Sequence, residues 1–287
     1  MLPWQGRDGD ARLGINVGLH CPGNSRDTDS FAVIGEMTTT FQKYAQASKT
    51  VEGWFFDEAA ATWDCLLDFQ KSSRFGGNLL EIGVWNGKSA LLSVLHARAD
   101  EIQLLVDPRD LTEAMDNLRG VRADAKIDIF QKPSRALFKH PEYRNMLSSF
   151  RWIHIDGKHS AQDVSVDLRL ADELLNDNGI VVVDDFFHNG YPQVTQAVFQ
   201  YLFTNPSSFA LLLCGHRKGY LCRPLTVSKY AQYVRTELHQ DLASRGFDRL
   251  TVWKSTESAD CQTYGVTDRF LTFDYRGPDW SQDTIPV

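Results

Sequence analysis

The chain lacks any apolar run approaching the roughly 18 residues of a membrane-spanning helix, so no bilayer passage is expected. It does not begin with a basic segment followed by an apolar one, so no secretory leader is expected either. Its five cysteines, Cys21, Cys65, Cys214, Cys222 and Cys261, form no Cys-x-x-Cys pair and no metal-finger spacing. An odd, scattered set in a chain of 287 residues fits a reducing cytosol better than a disulfide framework. Basic residues are outnumbered, 30 Lys and Arg against 37 Asp and Glu, for a net charge of −7. That balance argues against nucleic acid or an anionic membrane surface as the main partner. Internal repeats and low-complexity tracts are missing. So is Gly-x-Gly-x-x-Gly, the dinucleotide fingerprint.

What is present is a sequence with 43% hydrophobic residues, enough for one large domain with a sizeable core. From residue 78 onward, short apolar runs alternate with helical patterns. Strands are predicted at 79–82, 102–106, 126–130, 151–155 and 179–184, with helices at 88–97, 111–119, 134–147 and 161–175. Such alternation implies parallel strands with crossover helices. Ser160 and Asp163 form the start signal of the fourth helix, and Asn178-Gly179 is expected to end it. A further helix spans 193–203. The runs 209–214 and 219–223 look like a tight hairpin, hence an antiparallel edge.

Around this core, residues 1–30 read as loop or arm. Phe31, Ile34, Met37, Phe41 and Tyr44 fall at helical spacing over 31–47; that helix could serve as a lid, a substrate wall or a contact between copies of the chain. A helix is predicted over 57–70, after Glu52-Gly-Trp54. Residues 225–287 are expected to add a helix at 227–245 and strands near 248–254 and 268–274. The domain division is therefore 1–50, an N-terminal arm and helix; 51–224, the ligand-binding domain; and 225–287, its extension.

The richest stretch is Asn78-Leu-Leu-Glu-Ile-Gly-Val-Trp-Asn-Gly-Lys-Ser89. A buried strand leads into Gly83, and Gly87 and Ser89 lead into a helix. Glycines allow close backbone approach, and the helix start offers free N–H groups to a nucleotide-like ligand. Two glycines can equally serve packing in such a turn. Asp107 ends the second strand 24 residues after Gly83, where a carboxylate accepts from ribose hydroxyls; as a solvated turn residue it would do nothing of the kind. Ser134 follows the third strand, where an adenine edge would lie.

The strongest constellation is acidic. Asp156 closes the fourth strand and Asp184-Asp185 close the fifth. Three carboxylates at one sheet edge are costly unless a cation neutralises them, and oxygen ligands select hard ions such as Mg²⁺, Mn²⁺ or Ca²⁺. The alternative is that these residues cap helices and turns. His159, three residues after Asp156, is a candidate base or a surface histidine before a helix. His188 is a second candidate base or a substrate contact, whereas His96, His140 and His154 read as structural.

These motifs together resemble the class I S-adenosylmethionine-dependent methyltransferases. Glu81-Ile-Gly-Val-Trp-Asn-Gly-Lys-Ser89 is similar to their first motif. Ile155-Asp-Gly-Lys-His-Ser160 and Val181-Val-Val-Asp-Asp-Phe186 resemble the metal-site motifs of the macrocin-type branch, which methylates sugars of natural products. The resemblance covers roughly residues 50–205 and includes Glu52-Gly-Trp54. It implies a Rossmann-like α/β fold with a seven-stranded, mostly parallel sheet and one antiparallel strand. It implies S-adenosylmethionine at Glu81, Gly83, Gly87, Ser89, Asp107 and Ser134, with Gly83 and Gly87 along the methionine part and Asp107 at the ribose. It implies a divalent ion, Mg²⁺ by expectation, on Asp156, Asp184 and Asp185. His159 or Asp156 would be the base, and the acceptor a small hydroxylated molecule. One departure is Asp107-Pro-Arg109, where Asp-Pro-Trp is more usual. The rivals are a nicotinamide-dependent oxidoreductase, against which the missing third glycine and the three aspartates argue, and a non-catalytic cofactor-binding module.

Overall fold

A computed structural model describes residues 38–254, 262–268 and 285–286. The five predicted parallel strands are present as β1 (Asn78–Ile82), β2 (Ile102–Val106), β3 (Lys126–Phe130), β4 (Phe150–Ile155) and β5 (Leu175–Val183). They are followed by β6 (Ala210–Gly215), β7 (Lys218–Cys222), β8 (Leu250–Lys254), β9 (Tyr264–Asp268) and the two-residue β10 (Ile285–Pro286). All belong to one sheet of order β10-β8-β9-β6-β7-β5-β4-β1-β2-β3. The β3-β2-β1-β4-β5-β7-β6 portion is the expected seven-stranded unit, with β7 as its single antiparallel member. The fold is thus a Rossmann-like α/β fold with a mostly parallel sheet. The β6–β7 hairpin is not an edge, however. β9 pairs with β6, and β8 and β10 lie beyond it, so the C-terminal strands lengthen the sheet to ten.

Helices cover both faces: α1 (Thr40–Ala47), α2 (Asp57–Ser72), α3 (Ala90–His96), α4 (Thr112–Val121), α5 (Tyr143–Met146), α6 (Ala161–Leu174), α7 (Pro192–Thr204), α8 (Val227–Thr236) and α9 (Leu238–Ser244). Strand alternation sorts the core into two layers. Leu79, Trp152, Ile180 and Val182 join the layer that includes α2, α3 and α8. Leu80, Ile82, Ile153, Ile155, Val181 and Val183 join the layer that includes α6 and α7. Glu81 and His154, opposite one another in the β1–β4 register, share the face of Leu79 and Trp152, and His154 stacks edge-on against Trp63 of α2.

Several boundaries differ from the sequence pattern. The predicted helix 134–147 is broken into a 3₁₀ turn (Ser134–Lys139) and α5, because His140 precedes Pro141 and adopts an extended conformation, φ −66° and ψ 135°. The helix at 227–245 is split at Glu237, φ −129°. Helix α6 ends at Leu174, and Asn178-Gly179 lies inside β5. A Cβ on Gly179 would sit 3.0 Å from the Phe150 carbonyl, so this glycine serves close strand approach, not a helix cap. Of the helix predicted over 31–47, only α1 is seen, opened by a Thr39/Gln42 capping box; Phe31, Ile34 and Met37 lie outside the described residues, as do residues 1–30, Cys21, Cys261 and 269–274. Phe41 and Tyr44 of α1 pack on Phe247 and Phe55, which ties the helix to the body of the domain.

Candidate functional site

At the carboxyl ends of β1, β2, β4 and β5 the strands open onto one cavity of about 840 Å³, a size that suits a cofactor with part of a substrate. Main-chain ladder bonds run past the strand ends and stack the site residues. Gly83 N donates to Val106 O, Asp156 N to Ile82 O and Asp184 N to Ile155 O. Gly83 has φ +82°, and a Cβ there would lie 1.8 Å from the Asp156 carbonyl oxygen. Only glycine fits between β1 and the β4 loop at this point.

Among the residues expected to hold a nucleoside cofactor, Gly83, Ser89, Asp107 and Ser134 line the cavity. Asp107 is buried, and its carboxylate organises the turn itself. Oδ2 accepts from Val84 N at 2.9 Å and Trp85 N at 3.4 Å, and Oδ1 accepts from Arg109 N at 2.9 Å. Glu81 and Gly87 stand outside the lining. Glu81 is fully buried behind the turn, where Ser89 Oγ donates to its Oε1 at 2.5 Å and His154 Nδ1 lies 3.3 Å away. Gly87, φ +81°, faces Ala114 of α4. Both therefore shape the loop from behind. Arg109, at the departure from the more usual Asp-Pro-Trp, lays its guanidinium 3.6 Å over the Trp85 ring, and Trp54 packs beside Trp85.

Asp156, His159, Asp184 and Asp185 come together at the ends of β4 and β5. His159 Nε2 lies 3.5 Å from Asp156 Oδ1 and 3.2 Å from Asp185 Oδ2. Its ring meets Tyr191 at 4.2 Å between centroids. Asp185 and Phe187 sit at φ 54° and 61°, left-handed conformations that cost non-glycine residues about 1–3 kcal/mol each and concentrate at functional sites. His188 also lines the cavity, and its Nδ1 accepts from Gly190 N. His96 pairs with Asp64 at 2.6 Å, and His140 packs against Phe130.

Sequence reasoning missed Lys218. Its ammonium lies 2.6 Å from Asp184 Oδ1 with its side chain 2% exposed, and it is flanked by the rings of Phe55 and Trp63. The signal was the hairpin. His216 and Arg217, both at positive φ, make a two-residue turn, and the register Val183↔Gly219 then sets Lys218 beside Asp184. The cation needed to offset three carboxylates is thus partly built in. Electrostatics follow the geometry. Burial raises the Asp184 carboxyl, but the Lys218 ammonium overrides it and holds the group down at about 2. Asp156 is pushed up to about 6 by burial and by the charge of Asp184. Asp185 is raised by burial and by Asp184. His159 is raised by its hydrogen bond to Asp156, against burial and with help from Asp185.

Two overlapping trios have donor atoms within 4.8 Å of one another: His154–Asp156–Asp184, and Asp156–His159–Asp185. The first contains buried His154 and the carboxylate that Lys218 engages. The second lies wholly on residues that line the cavity. Oxygen donors with one imidazole fit a hard divalent ion, so the residues present are compatible with one.

Residues 80–186 match the profile of a methyltransferase domain, a stretch that runs from the glycine turn through Asp184-Asp185. No curated protein matches the chain. Among solved structures, the O-methyltransferase NovP shows 16% identity and a TM-score of 0.47 over 58% of this chain and 80% of its own. CalS11, a TDP-rhamnose 3'-O-methyltransferase of calicheamicin biosynthesis, shows 12% identity and a TM-score of 0.44 over 64% and 92%. An O-methyltransferase from Bacillus cereus, solved in complex with SAH, shows 14% identity and a TM-score of 0.45 over 66% and 91%. No helix among the described residues is long and apolar enough to cross a membrane.

Proposed function

We propose that the protein is an S-adenosylmethionine-dependent O-methyltransferase of the macrocin type, acting on a hydroxyl of a sugar or other small natural product with help from a divalent ion. The observation that carries this reading is a single cavity lined by two sets of groups. One set is the Gly83 turn, Asp107 and Ser134, and the other is Asp156, His159 and Asp185. A cofactor and an acceptor held in the same space meet without diffusing apart, and such positioning supplies on the order of 7–11 kcal/mol in the best model systems.

The cofactor supplies a methyl group already activated on sulfonium. A divalent ion held by Asp156, Asp184 and Asp185 would supply Lewis acidity toward the acceptor hydroxyl. The remaining work falls to side chains of this chain. Asp107 fixes the turn through Val84 and Trp85 and has lone pairs left for ribose hydroxyls. His159 Nε2, aimed between Asp156 and Asp185, takes up the hydroxyl proton. Tyr191 and His188 wall the acceptor side. An oxidoreductase reading has less support, since the turn at Gly83–Gly87 lacks a third glycine. A thermal-shift comparison of S-adenosylhomocysteine, NAD⁺ and buffer separates the readings. Stabilisation by S-adenosylhomocysteine alone is expected. Stabilisation by NAD⁺ instead would overturn the assignment.

A further inference from the structure

Arg217 stands in the two-residue turn between β6 and β7 and lines the cavity. Both turn residues have positive φ, 49° at His216 and 61° at Arg217. Hairpin turns of this kind favour Asn-Gly, because a Cβ is strained there. An arginine in that place keeps its side chain against the local preference of the backbone. The turn is also tied to the acidic residues of the site. Phe186 N, next after Asp185, donates to Arg217 O at 3.0 Å, and Lys218, next after Arg217, engages Asp184. Other cations of the cavity already have carboxylate partners, Lys158 with Asp163 at 3.6 Å and Lys218 with Asp184 at 2.6 Å. The Arg217 guanidinium instead lies 5.3 Å over the ring of Phe56, with no ion pair or side-chain hydrogen bond among the described residues. A guanidinium held by its flat face keeps the N–H donors of its edge free, and their fork matches a carboxylate or a phosphate. Apolar surface accompanies it. Phe56 is 46% exposed and Trp54, from the same segment, is 83% exposed, and both line the cavity. Large aromatic side chains left open in this way mark a surface for a ligand.

Resting on the methyltransferase reading, we infer that the methyl acceptor carries an oxyanion, a carboxylate or a phosphate, which Arg217 binds while Phe56 and Trp54 cover an apolar face of the same molecule. An anion that enters a cavity holding Asp156, Asp184 and Asp185 is repelled by them, and a free guanidinium tethered next to Asp185 through Phe186 offsets that repulsion at one point. The anion therefore sets which way round the acceptor enters, and with it which hydroxyl is presented for methylation. A neutral acceptor gains nothing from the guanidinium fork.

The test is isothermal titration of the full chain in excess Mg²⁺ and S-adenosylhomocysteine with two matched pairs of probes. One pair is phenyl glucuronide against phenyl glucoside, and the other is glucose 1-phosphate against methyl glucoside. Wild-type protein is expected to prefer the anionic member of at least one pair by about tenfold or more, the range of a charge-assisted hydrogen bond. The pair with the larger preference tells carboxylate from phosphate. Arg217→Gly is expected to cut that preference by about tenfold. Glycine suits a positive φ, so this variant removes the side chain without straining the turn. Its melting temperature should equal or exceed that of wild type, and its affinity for S-adenosylhomocysteine should not change. Arg217→Lys, which keeps the charge and loses the fork, is expected to retain part of the preference. Wild-type protein that binds S-adenosylhomocysteine but shows no preference in either pair overturns the inference and leaves the methyltransferase reading in place. So does an Arg217→Gly variant with the wild-type ratio. Failure of wild-type protein to bind S-adenosylhomocysteine at all overturns that reading, and this inference with it.

Discussion

The ammonium of Lys218 and the carboxylate of Asp184 meet at 2.6 Å, where β7 runs antiparallel to β5 beside the site. Neither residue is free to leave. Lys218 is enclosed by Phe55 and Trp63, and Asp184 Oδ1 also accepts from Asp185 N at 2.7 Å. The carboxylate that Lys218 engages thus also holds the main chain of Asp185, and all three residues line the cavity.

Lys218→Met should therefore destabilise the protein by about 3–5 kcal/mol, the usual cost of orphaning a buried charge. Urea unfolding at neutral pH measures it. Lys218→Met combined with Asp184→Asn should recover most of the loss, because neither charge is then left alone. A single variant as stable as wild type would show that the pair does not hold the sheet together here.

A second carboxylate carries a pH signature away from the site. Asp172 of α6 accepts from Tyr201 Oη at 2.9 Å, Ser208 Oγ at 2.6 Å and Arg223 Nη1 at 2.5 Å. Burial raises its carboxyl, but these three partners together lower it below 3.8. A folded-state value below the unfolded one means that the unfolded chain binds the proton first. The stabilisation is full above about pH 4 and fades as pH falls through the folded value. Asp172→Asn should lower stability at pH 7 and flatten the acid limb of the stability curve below pH 4. An acid limb as steep as that of wild type would place the titration elsewhere.

The site was legible where its signals were local. Strands β2 and β3 begin and end as their apolar runs predict, and Gly83, Asp107, Asp156 and Asp185 carry turn and strand-end signals within a few residues of themselves. What stayed hidden depended on register or on distant packing. Lys218 reads as an ordinary hairpin lysine until β7 is laid beside β5. Glu81 belongs to a motif that suggests ligand contact, yet strand alternation turns its side chain to the face of Leu79 and Trp152. Asp167 sits in an amphipathic helix with no motif, and only the packing of the β3 and β4 loops onto α6 brings it to the cavity. The break at His140-Pro141 was readable from proline chemistry alone.

Metal dependence follows from the three carboxylates Asp156, Asp184 and Asp185. Turnover should vanish in excess chelator and return with Mg²⁺ or Mn²⁺. Asp185→Ala should weaken direct Mn²⁺ binding to the ligand-free protein while S-adenosylhomocysteine still binds, since the expected cofactor residues are a separate set. Full activity in chelator would assign the aspartates a purely electrostatic role beside Lys218.

His159 is placed to take the acceptor's proton, and its environment shifts the pH at which it can. The hydrogen bond to Asp156, followed by the charge of Asp185, raises it above 6.5. A raised value keeps the imidazole protonated, and unable to accept, to higher pH than an ordinary histidine. In the metal-free protein the His159 imidazole, followed by NMR, should therefore titrate above 6.5, and the kcat of the metal-loaded enzyme should rise with pH and level off on the alkaline side. His159→Ala should lower kcat by about 10²–10⁴-fold, the typical contribution of a positioned base, with cofactor affinity nearly unchanged. Asp156→Asn separates cause from coincidence, because it removes the largest upward influence on His159. In the metal-free variant the His159 titration should be displaced toward acid pH. His188→Ala serves as the comparison and should chiefly alter KM. If His159→Ala keeps a near-normal kcat and the wild-type profile, the proton passes through Asp156 or His188, and His159 serves only to orient Asp185 and Tyr191 at the mouth of the cavity.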